Sequence, residues 1–153
     1  MIDLADTYDR LGPHLYRHAL AVSRRSAEAE DAVHGAFAKL LGRLRAGAEI
    51  QDVEAYLHVS VRREALRSLE RALPVSESLE LVRAKPGRSV EEADRVNHAL
   101  GRLPPEQREV VVLHVLEGHT FERVGELTGV PQNTAASRYR YARKKLEEWL
   151  DER

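Results

Sequence analysis

The stretch "EGHTFERVGELTGVPQNTAASRYRYARKKLEEW", Glu117 to Trp149, decides how this chain is read. A short amphipathic segment breaks at Gly129-Val130-Pro131, and a longer one follows with five cations and no acid between Gln132 and Leu146. Thr120 is placed to cap the first segment as a helix ending near Thr128, with Phe121, Val124 and Leu127 on its inward face. Gly125 leaves room for a second helix to cross closely. At about 100° per residue, the second segment gathers Ala135, Tyr139, Ala142, Leu146, Trp149 and Leu150 into one sector roughly 100° wide, a seam to be buried. The opposite sector holds Asn133, Ser137, Arg140 and Lys144.

A helix, a tight glycine turn and a second helix with an apolar back and a polar front form a helix-turn-helix. Asn133, Thr134 and Ser137 fall at the N-terminal end of the second helix, the end that such units insert into the major groove. The competing reading is a basic, solvated face on an ordinary helical hairpin. The turn, the small residue at the crossing and the polar face opposite the seam together favour the groove helix.

Working outward, most long segments repeat apolar residues at helical spacing, and aromatic residues make up only 5% of the chain. The spacing predicts an all-α protein. Between Ser26, read as an N-cap, and Leu44, one stripe carries Ala32, Val33, Ala36, Phe37, Leu40 and Leu41. Before it, Leu4, Tyr8, Leu11, Leu15, Ala19 and Val22 suggest a helical pair bent at Gly12-Pro13. After it, Asp52 caps a helix running to about Ala72 through Leu57, Val61, Ala65 and Leu69. From Leu73 the periodicity fails in "LPVSESLELVRAKPGRS". Helical spacing resumes from Val90 to Leu103, then in "LPPEQREVVVLHVLEG", with Pro105 at a first helical position and Gly118 as terminator. The expected organisation is two small helical domains, 1–72 and 93–153, joined by a linker at 73–92, the C-terminal one a helix-turn-helix.

The net charge of -1 hides local patterning. Lys/Arg and Asp/Glu number 11 and 11 over residues 1–72, 5 and 5 over 73–102, and 8 and 9 over 103–153, so any nucleic-acid surface must be a local stripe. Two stripes qualify: Arg138, Arg140, Arg143, Lys144 and Lys145, and Arg62, Arg63, Arg67 and Arg71. The absence of cysteine removes disulfides and thiolate chemistry. No apolar run approaches the roughly 20 residues of a membrane span, and the start "MIDLADTYD" lacks a signal-peptide layout, so a cytoplasmic protein without membrane contact is expected. His14 and His18 stand at i, i+4, but no third ligand is evident, and neither a metal nor any other cofactor is expected. No phosphate loop or nucleophile group stands out, so no enzyme is expected.

The stretch "LPPEQREVVVLHVLEGHTFERVGELTGVPQNTAASRYRYARKKL" resembles region 4, the C-terminal domain, of the extracytoplasmic-function group of bacterial sigma factors. "RRSAEAEDAVHGAFAKLLGRL" is similar to the most recognisable helix of their region 2, and the two occur in the family's order and at its usual separation. The resemblance implies a transcription initiation factor of the sigma-70 family. Its partners would be core RNA polymerase, through the largest-subunit coiled coil and the flap, and promoter DNA, with an anti-sigma factor or another targeting protein as a further partner.

Residue by residue, Gln132, Asn133, Thr134, Ala136, Ser137, Arg138 and Arg140 match the segment that reads the −35 element, and Lys144 continues the same face. Asn133 replaces a common Gly and Ala136 a common Lys. Ala29, Glu30, Asp31, His34 and Phe37 match the stretch that meets the polymerase coiled coil, with His34 in place of the usual Gln. On the helical wheel Glu30, Asp31, His34 and Ala38 are the polymerase-facing candidates, whereas Phe37 belongs to the core stripe.

One segment departs from the family. In "AYLHVSVRREALRSLER", Arg63 replaces an expected Asn, Arg67 an Asp and Glu70 an Arg, which alters the helix that captures the unpaired base of the −10 element. Arg63, Arg67 and Arg71 still recur at i, i+4, i+8 in a stripe suited to DNA backbone, and Arg62 is the fourth candidate on the −10 side. The leading function is therefore an ECF-type sigma factor. The alternatives are a sigma-like adaptor with little −10 reading of its own, and a plain helix-turn-helix regulator, which would have no need of the "AEAEDAVHGAFAKLL" helix.

Overall fold

The structure, a computed structural model, describes residues 1–71, 79–87 and 89–151. The first part of the expected linker, 73–78, and residue 88 lie outside the described residues. All seven α-helices named below, and every other regular element of more than one residue among the described residues, are helical.

Helices α1 (Leu4–Ser23), α2 (Ser26–Arg45) and α3 (Val53–Glu70) pack mutually. Leu11, Leu15, Ala19, Ala36, Leu40, Leu57, Val61 and Ala65 are buried between them, which is the inward stripe of each helix. Asp3 and Asp52 cap α1 and α3, accepting from the N–H groups of Asp6 and Ala55 at 3.1 and 3.0 Å. Two local expectations are corrected. The segment with Gly12-Pro13 is not a bent pair but one helix of 20 residues with Pro13 inside it. The proline leaves free the carbonyl of Asp9, which is exposed to water, and Gly12 has no Cβ to clash with the proline ring, so neither of the usual penalties is large here. Ser26 is the first helical residue of α2 rather than its cap, and Arg25 holds the cap position with extended backbone.

The second unit contains α4 (Val90–Arg102), α5 (Pro105–Val111), α6 (Phe121–Thr128) and α7 (Gln132–Asp151). Ser89 caps α4 through the N–H of Glu92. α5 runs directly into a π-helical turn, Val112–Leu116, and Gly118 then turns the chain at φ +76. α7 packs on α4, α5 and α6, and near its end Arg102 of α4 lies over the ring of Trp149, 4.1 Å from its centroid. Before α4, Leu79, Leu81 and Val82 are buried. Asn97 of α4 clips this segment down: its Oδ1 accepts from the N–H of Leu81 and Val82 at 2.9 and 2.8 Å, and its Nδ2 donates to Val82 O at 2.7 Å.

The two units share one apolar core. α1 and α3 pack against α5, the π-helical turn and α6, and Leu103, Val111 and Val112 join the cluster built by α1 to α3. Arg108 of α5, 2% exposed, is the polar centre of this contact. Its Nε donates to Ala21 O and its Nη2 to Val22 O at the end of α1, while Nη1 reaches Leu103 O at 2.8 Å, Gly101 O and Leu100 O at the end of α4. A helix C-terminus leaves its last carbonyls unpaired and carries partial negative charge, so one guanidinium satisfies two such ends together. Burial, then the nearby Arg24 charge, lowers the Arg108 pKa to about 10, so it remains a cation at neutral pH.

Candidate nucleic-acid interface

Thr120 accepts from the N–H of Arg123 at 3.1 Å and starts α6 where the sequence places it. Gly129, at φ +76, ends α6, its N–H bonding to Gly125 O. Gly125 makes room both for the turn's backbone and for the first residue of the crossing helix: a Cβ there would lie 2.6 Å from Val130 O in the turn and 3.3 Å from Gln132 N at the start of α7. The turn is thus pressed onto α6, which fixes the direction in which α7 leaves.

Behind α7, Ala135 is fully buried in a cluster with Val110, Leu113, Val124 and Leu127, and Ala142 is fully buried in the main core cluster that includes Leu100, Val111 and Val112. Tyr139 is half-buried and completes a ring cluster, 4.8 Å from His114 and 5.3 Å from Phe121 between centroids. His114 is itself fixed, because its Nδ1–H donates to His119 O at 2.7 Å. The seam is deep only in part. Leu146, Trp149 and Leu150, expected within it, are half-buried, because α7 outruns α5 and α6.

In front, Gln132, Asn133, Arg140 and Lys144 are exposed, while Thr134, Ala136, Ser137 and Arg138 are partly so. Ser137 Oγ accepts from Arg140 Nη2 at 3.1 Å, one turn apart. No acid occurs from Gln132 to Leu146, and the free N–H groups at the helix start add partial positive charge. An anionic, hydrogen-bonding surface such as a DNA groove suits this face.

On α2, Glu30, Asp31, His34 and Ala38 are all exposed, while Ala29, Ala32, Val33 and Ala36 behind them are buried. Phe37 is half-buried and meets the Tyr8 ring edge-on at 5.1 Å. Tyr8 also stacks on His34, and Glu30, Val33 and His34 line one side of a groove of about 620 Å³ between α1 and α2.

On α3, Arg63 and Arg67 are exposed, as is Arg71 at its C-cap. Glu64, between the first two, accepts from Arg67 at 3.2 Å and also from Lys39, and the Lys39 hydrogen bond holds its carboxyl below the ordinary value. Arg62 does not join this stripe. Its side chain is 19% exposed and turns to Glu109 of α5, its Nε donating to the two carboxylate oxygens at 2.8 and 3.0 Å.

Glu109 heads a network that joins residues distant in sequence, and sequence reasoning found none of it. The carboxylate, 1% exposed, also accepts from His18 Nε2 at 2.8 Å, and His18 Nδ1 lies 2.9 Å from His58 Nδ1. Burial, then the His18 charge, holds His58 well below the ordinary imidazole range. At the rim, Glu117 accepts from Arg17 at 2.9 Å and pairs with His14 at 2.6 Å, so His14 and His18 turn to different acids. Arg123 donates to Asp52 and Glu54 at 2.6 and 2.7 Å, which lowers the Asp52 carboxyl and raises the guanidinium. Each ion pair bridges α1, the middle of α3 or the start of α3 to the second unit, and no local spacing signals it.

The sequence matches the family description "Sigma-70 region 2" over residues 7–73 and "Sigma-70, region 4" over residues 93–146. It is 36% identical over 141 residues to the ECF RNA polymerase sigma factor SigM of Mycobacterium tuberculosis, covering 89% of this chain and 71% of SigM. It is 28% identical over 155 residues to the RNA polymerase sigma factor CarQ of Myxococcus xanthus, covering 96% of this chain and 88% of CarQ. Among solved structures, the sigma factor RpoE of Bartonella quintana, crystallised with the anti-sigma factor NepR, shares the fold with a TM-score of 0.74, at 22% identity over 96% of this chain and 98% of that one. Both halves of the chain thus match the same family in the same order, and the protein belongs to the ECF RNA polymerase sigma factors of the sigma-70 family.

Proposed function

We propose that this chain binds core RNA polymerase and directs transcription initiation at a defined set of promoters, with α7 reading the −35 element. The observation that carries this reading is the two-faced α7: Ala135 and Ala142 fully buried behind, Asn133, Arg140 and Lys144 exposed in front. Direct readout needs side chains of that kind held on a rigid helix, with cations positioned by phosphate. Glu30, Asp31, His34 and Ala38 form the surface offered to the polymerase coiled coil, and the flap is the partner for the second unit. Arg63, Arg67 and Arg71 follow DNA backbone on the −10 side. Catalysis belongs to the polymerase, the chain acts in the cytoplasm, and an anti-sigma factor or another targeting protein is a further partner.

The substitutions in α3 favour one second reading, a sigma-like adaptor that holds DNA without reading the −10 element. Gel filtration with core polymerase at low salt, followed by run-off transcription, tests both. Co-elution with promoter-dependent transcripts is expected of the sigma factor, and co-elution without transcripts of the adaptor. Separate elution would overturn both.

A further inference from the structure

Arg24 ends α1 in a conformation and an environment that disfavour an arginine. Among the described residues it alone, glycines aside, has a positive φ, at φ 59 and ψ 18, the left-handed region that suits Gly or Asn at a helix end. The side chain is half-buried, and its Nε is enclosed without a hydrogen-bond partner. No carboxylate among the described residues pairs with the guanidinium. Buried donors are almost always bonded, so this nitrogen calls for an acceptor that the described residues do not supply.

The guanidinium lies against Gly101 of α4, where a Cβ would sit 3.2 Å from Nη2, 3.4 Å from Cζ and 3.6 Å from Nε. Glycine within a helix is normally unfavourable, and here its bare backbone makes room for the arginine. Both residues line a cavity of about 620 Å³ between the end of α1 and α4, together with Asp94, His98 and Arg102. Cavities of about 300–1,000 Å³ are the usual size of small-molecule sites. Arg102 is held in place by the Trp149 ring and, like Arg24, has no acidic partner among the described residues. Two guanidiniums and an imidazole therefore surround a space with one acid, Asp94, which is exposed. The Arg24 charge also acts on Arg108, where it adds to burial in lowering the pKa. An anion beside Arg24 would offset that repulsion, whereas a neutral water would not.

We propose that this cavity binds a small phosphorylated molecule, whose phosphate accepts hydrogen bonds from Arg24 and Arg102 and so ties the end of α1 to α4. A guanidinium stays charged at neutral pH, and its donors match two oxygens of one phosphate at once. The phosphate dianion offers three such oxygens, enough for two guanidiniums, and Leu79 gives the rest of the molecule an apolar wall. The site uses none of the residues assigned above to promoter or polymerase, and it stands whether or not that reading does.

The probe is inorganic phosphate, titrated into the full chain at constant ionic strength and followed by phosphorus NMR and by thermal melting. Binding should saturate at one phosphate per chain, and the melting temperature should rise to a plateau with it. Arg24→Asn places at the helix end a residue that accepts the left-handed backbone. It should fold at least as well as wild type, yet bind phosphate about tenfold more weakly, since hydrogen bonds to a charged group are lost. Arg102→Gln, at an exposed position, should weaken binding similarly, and it decides the matter if Arg24→Asn fails to fold. Asp94→Asn should tighten binding about two- to fivefold by removing the one opposing charge. Arg10→Asn, which removes an exposed cation of α1 away from the cavity, should bind as wild type does.

Phosphate also stabilises proteins without binding them, through exclusion from their surface. A melting temperature that climbs without a plateau, and equally in wild type, Arg24→Asn and Arg102→Gln, would overturn the site. Saturable binding that survives in both variants would overturn it too. Displacement of bound phosphate by a stoichiometric DNA duplex would assign the cavity to nucleic-acid backbone and defeat the small-molecule reading, whereas phosphate retained beside the duplex supports it.

Discussion

Gly125 and Val130 stand so close that a Cβ on the first would sit 2.6 Å from the carbonyl oxygen of the second. The obstacle is backbone, held by the Gly129 and Val130 N–H bonds to Gly125 O, and cannot swing aside. Gly125→Ala should therefore destabilise the chain by about 1–3 kcal/mol, as overpacking does elsewhere. Gly42→Ala is the contrast. It lies within α2 with nothing inside 4 Å, and should add about 0.5–1 kcal/mol. Chemical denaturation of both variants checks the opposite signs.

Arg108→Met keeps the bulk of the side chain but strands carbonyls at the ends of α1 and α4 together. Buried acceptors without partners cost about 1–3 kcal/mol each, so the loss should be about 3 kcal/mol or more. Arg108→Lys retains the charge but cannot fork between the two helix ends, and should fall between wild type and Arg108→Met. Thermal melts of the three proteins would show that order.

His58 supplies a pH dependence. The folded state holds it neutral, since burial and the neighbouring His18, His119, Arg123 and His14 charges all oppose a proton. Unfolded, it titrates near about 6.5, so below that pH the unfolded chain binds more protons than the folded one. Its contribution is complete above about pH 6.5 and is lost as pH falls toward the lower folded value, at up to about 1.4 kcal/mol per pH unit. Glu109 and Arg62 face it only through His18. His58→Asn should flatten the slope of unfolding free energy between pH 7 and 5.5. An unchanged slope would assign the proton uptake to another group.

Arg140 and Lys144 occupy the same exposed face of α7 but should fail differently. If Lys144 meets only phosphate, as the proposed −35 reading has it, Lys144→Ala should weaken binding evenly across sequences and reduce the salt slope by about 1. If Arg140 meets a base edge, Arg140→Ala should cost roughly 1–3 kcal/mol on the preferred site and little elsewhere. Titrations on the preferred and a scrambled duplex at several salt concentrations separate the two. Equal affinity of both variants and wild type would move the groove face elsewhere.

The exposed Arg63 and Arg67 add attraction to phosphate, which is sequence-blind and screened by salt. Capturing a flipped base needs a shaped pocket whose contacts offset an unstacking cost of a few kcal/mol, and charge alone does not supply one. Arg63→Ala with Arg67→Ala should lower open-complex formation mainly at raised salt. In a promoter library transcribed by reconstituted holoenzyme, base changes in the −10 element should matter less than those in the −35 element. Strong dependence on single −10 bases would show that α3 still reads the melted strand.

What was legible in the sequence followed from short-range periodicity. The stripe of α2, the Thr120 cap, the Gly118 and Gly129 turns and the two faces of α7 are each set within a few residues, so spacing alone places them. Pro13 misled because the rule against proline within a helix assumes a carbonyl left unpaired away from water, and here Asp9 is exposed. The π-helical turn after Val111 had no local signal, and Leu146 looked deeper than it is because a wheel shows direction but not how far the opposing helices extend. Arg62 was counted with Arg63, Arg67 and Arg71 for the same reason. Its partner lies 47 residues away, and His18 and His14 find theirs 91 and 103 residues away. No periodicity reports such pairings.

The Asn97 clip has a consequence for how this chain can tolerate changes in length. Because Leu81 and Val82 are fastened to α4, the tether between the units ends at the clip and not at Ser89. Ten residue-to-residue steps lead from Arg71 to Leu81, a reach of at most about 35 Å when extended. An insertion upstream of Leu79 lengthens that reach directly, by about 3.5 Å per residue, and so changes which promoter spacings the two units can straddle. The same insertion between Val82 and Ser89 enlarges a loop pinned at both ends and leaves the reach unaltered. Two insertions of equal size, fewer than ten positions apart, would then have unequal effects on promoter choice, and selection on spacer length would act on one side of the clip only.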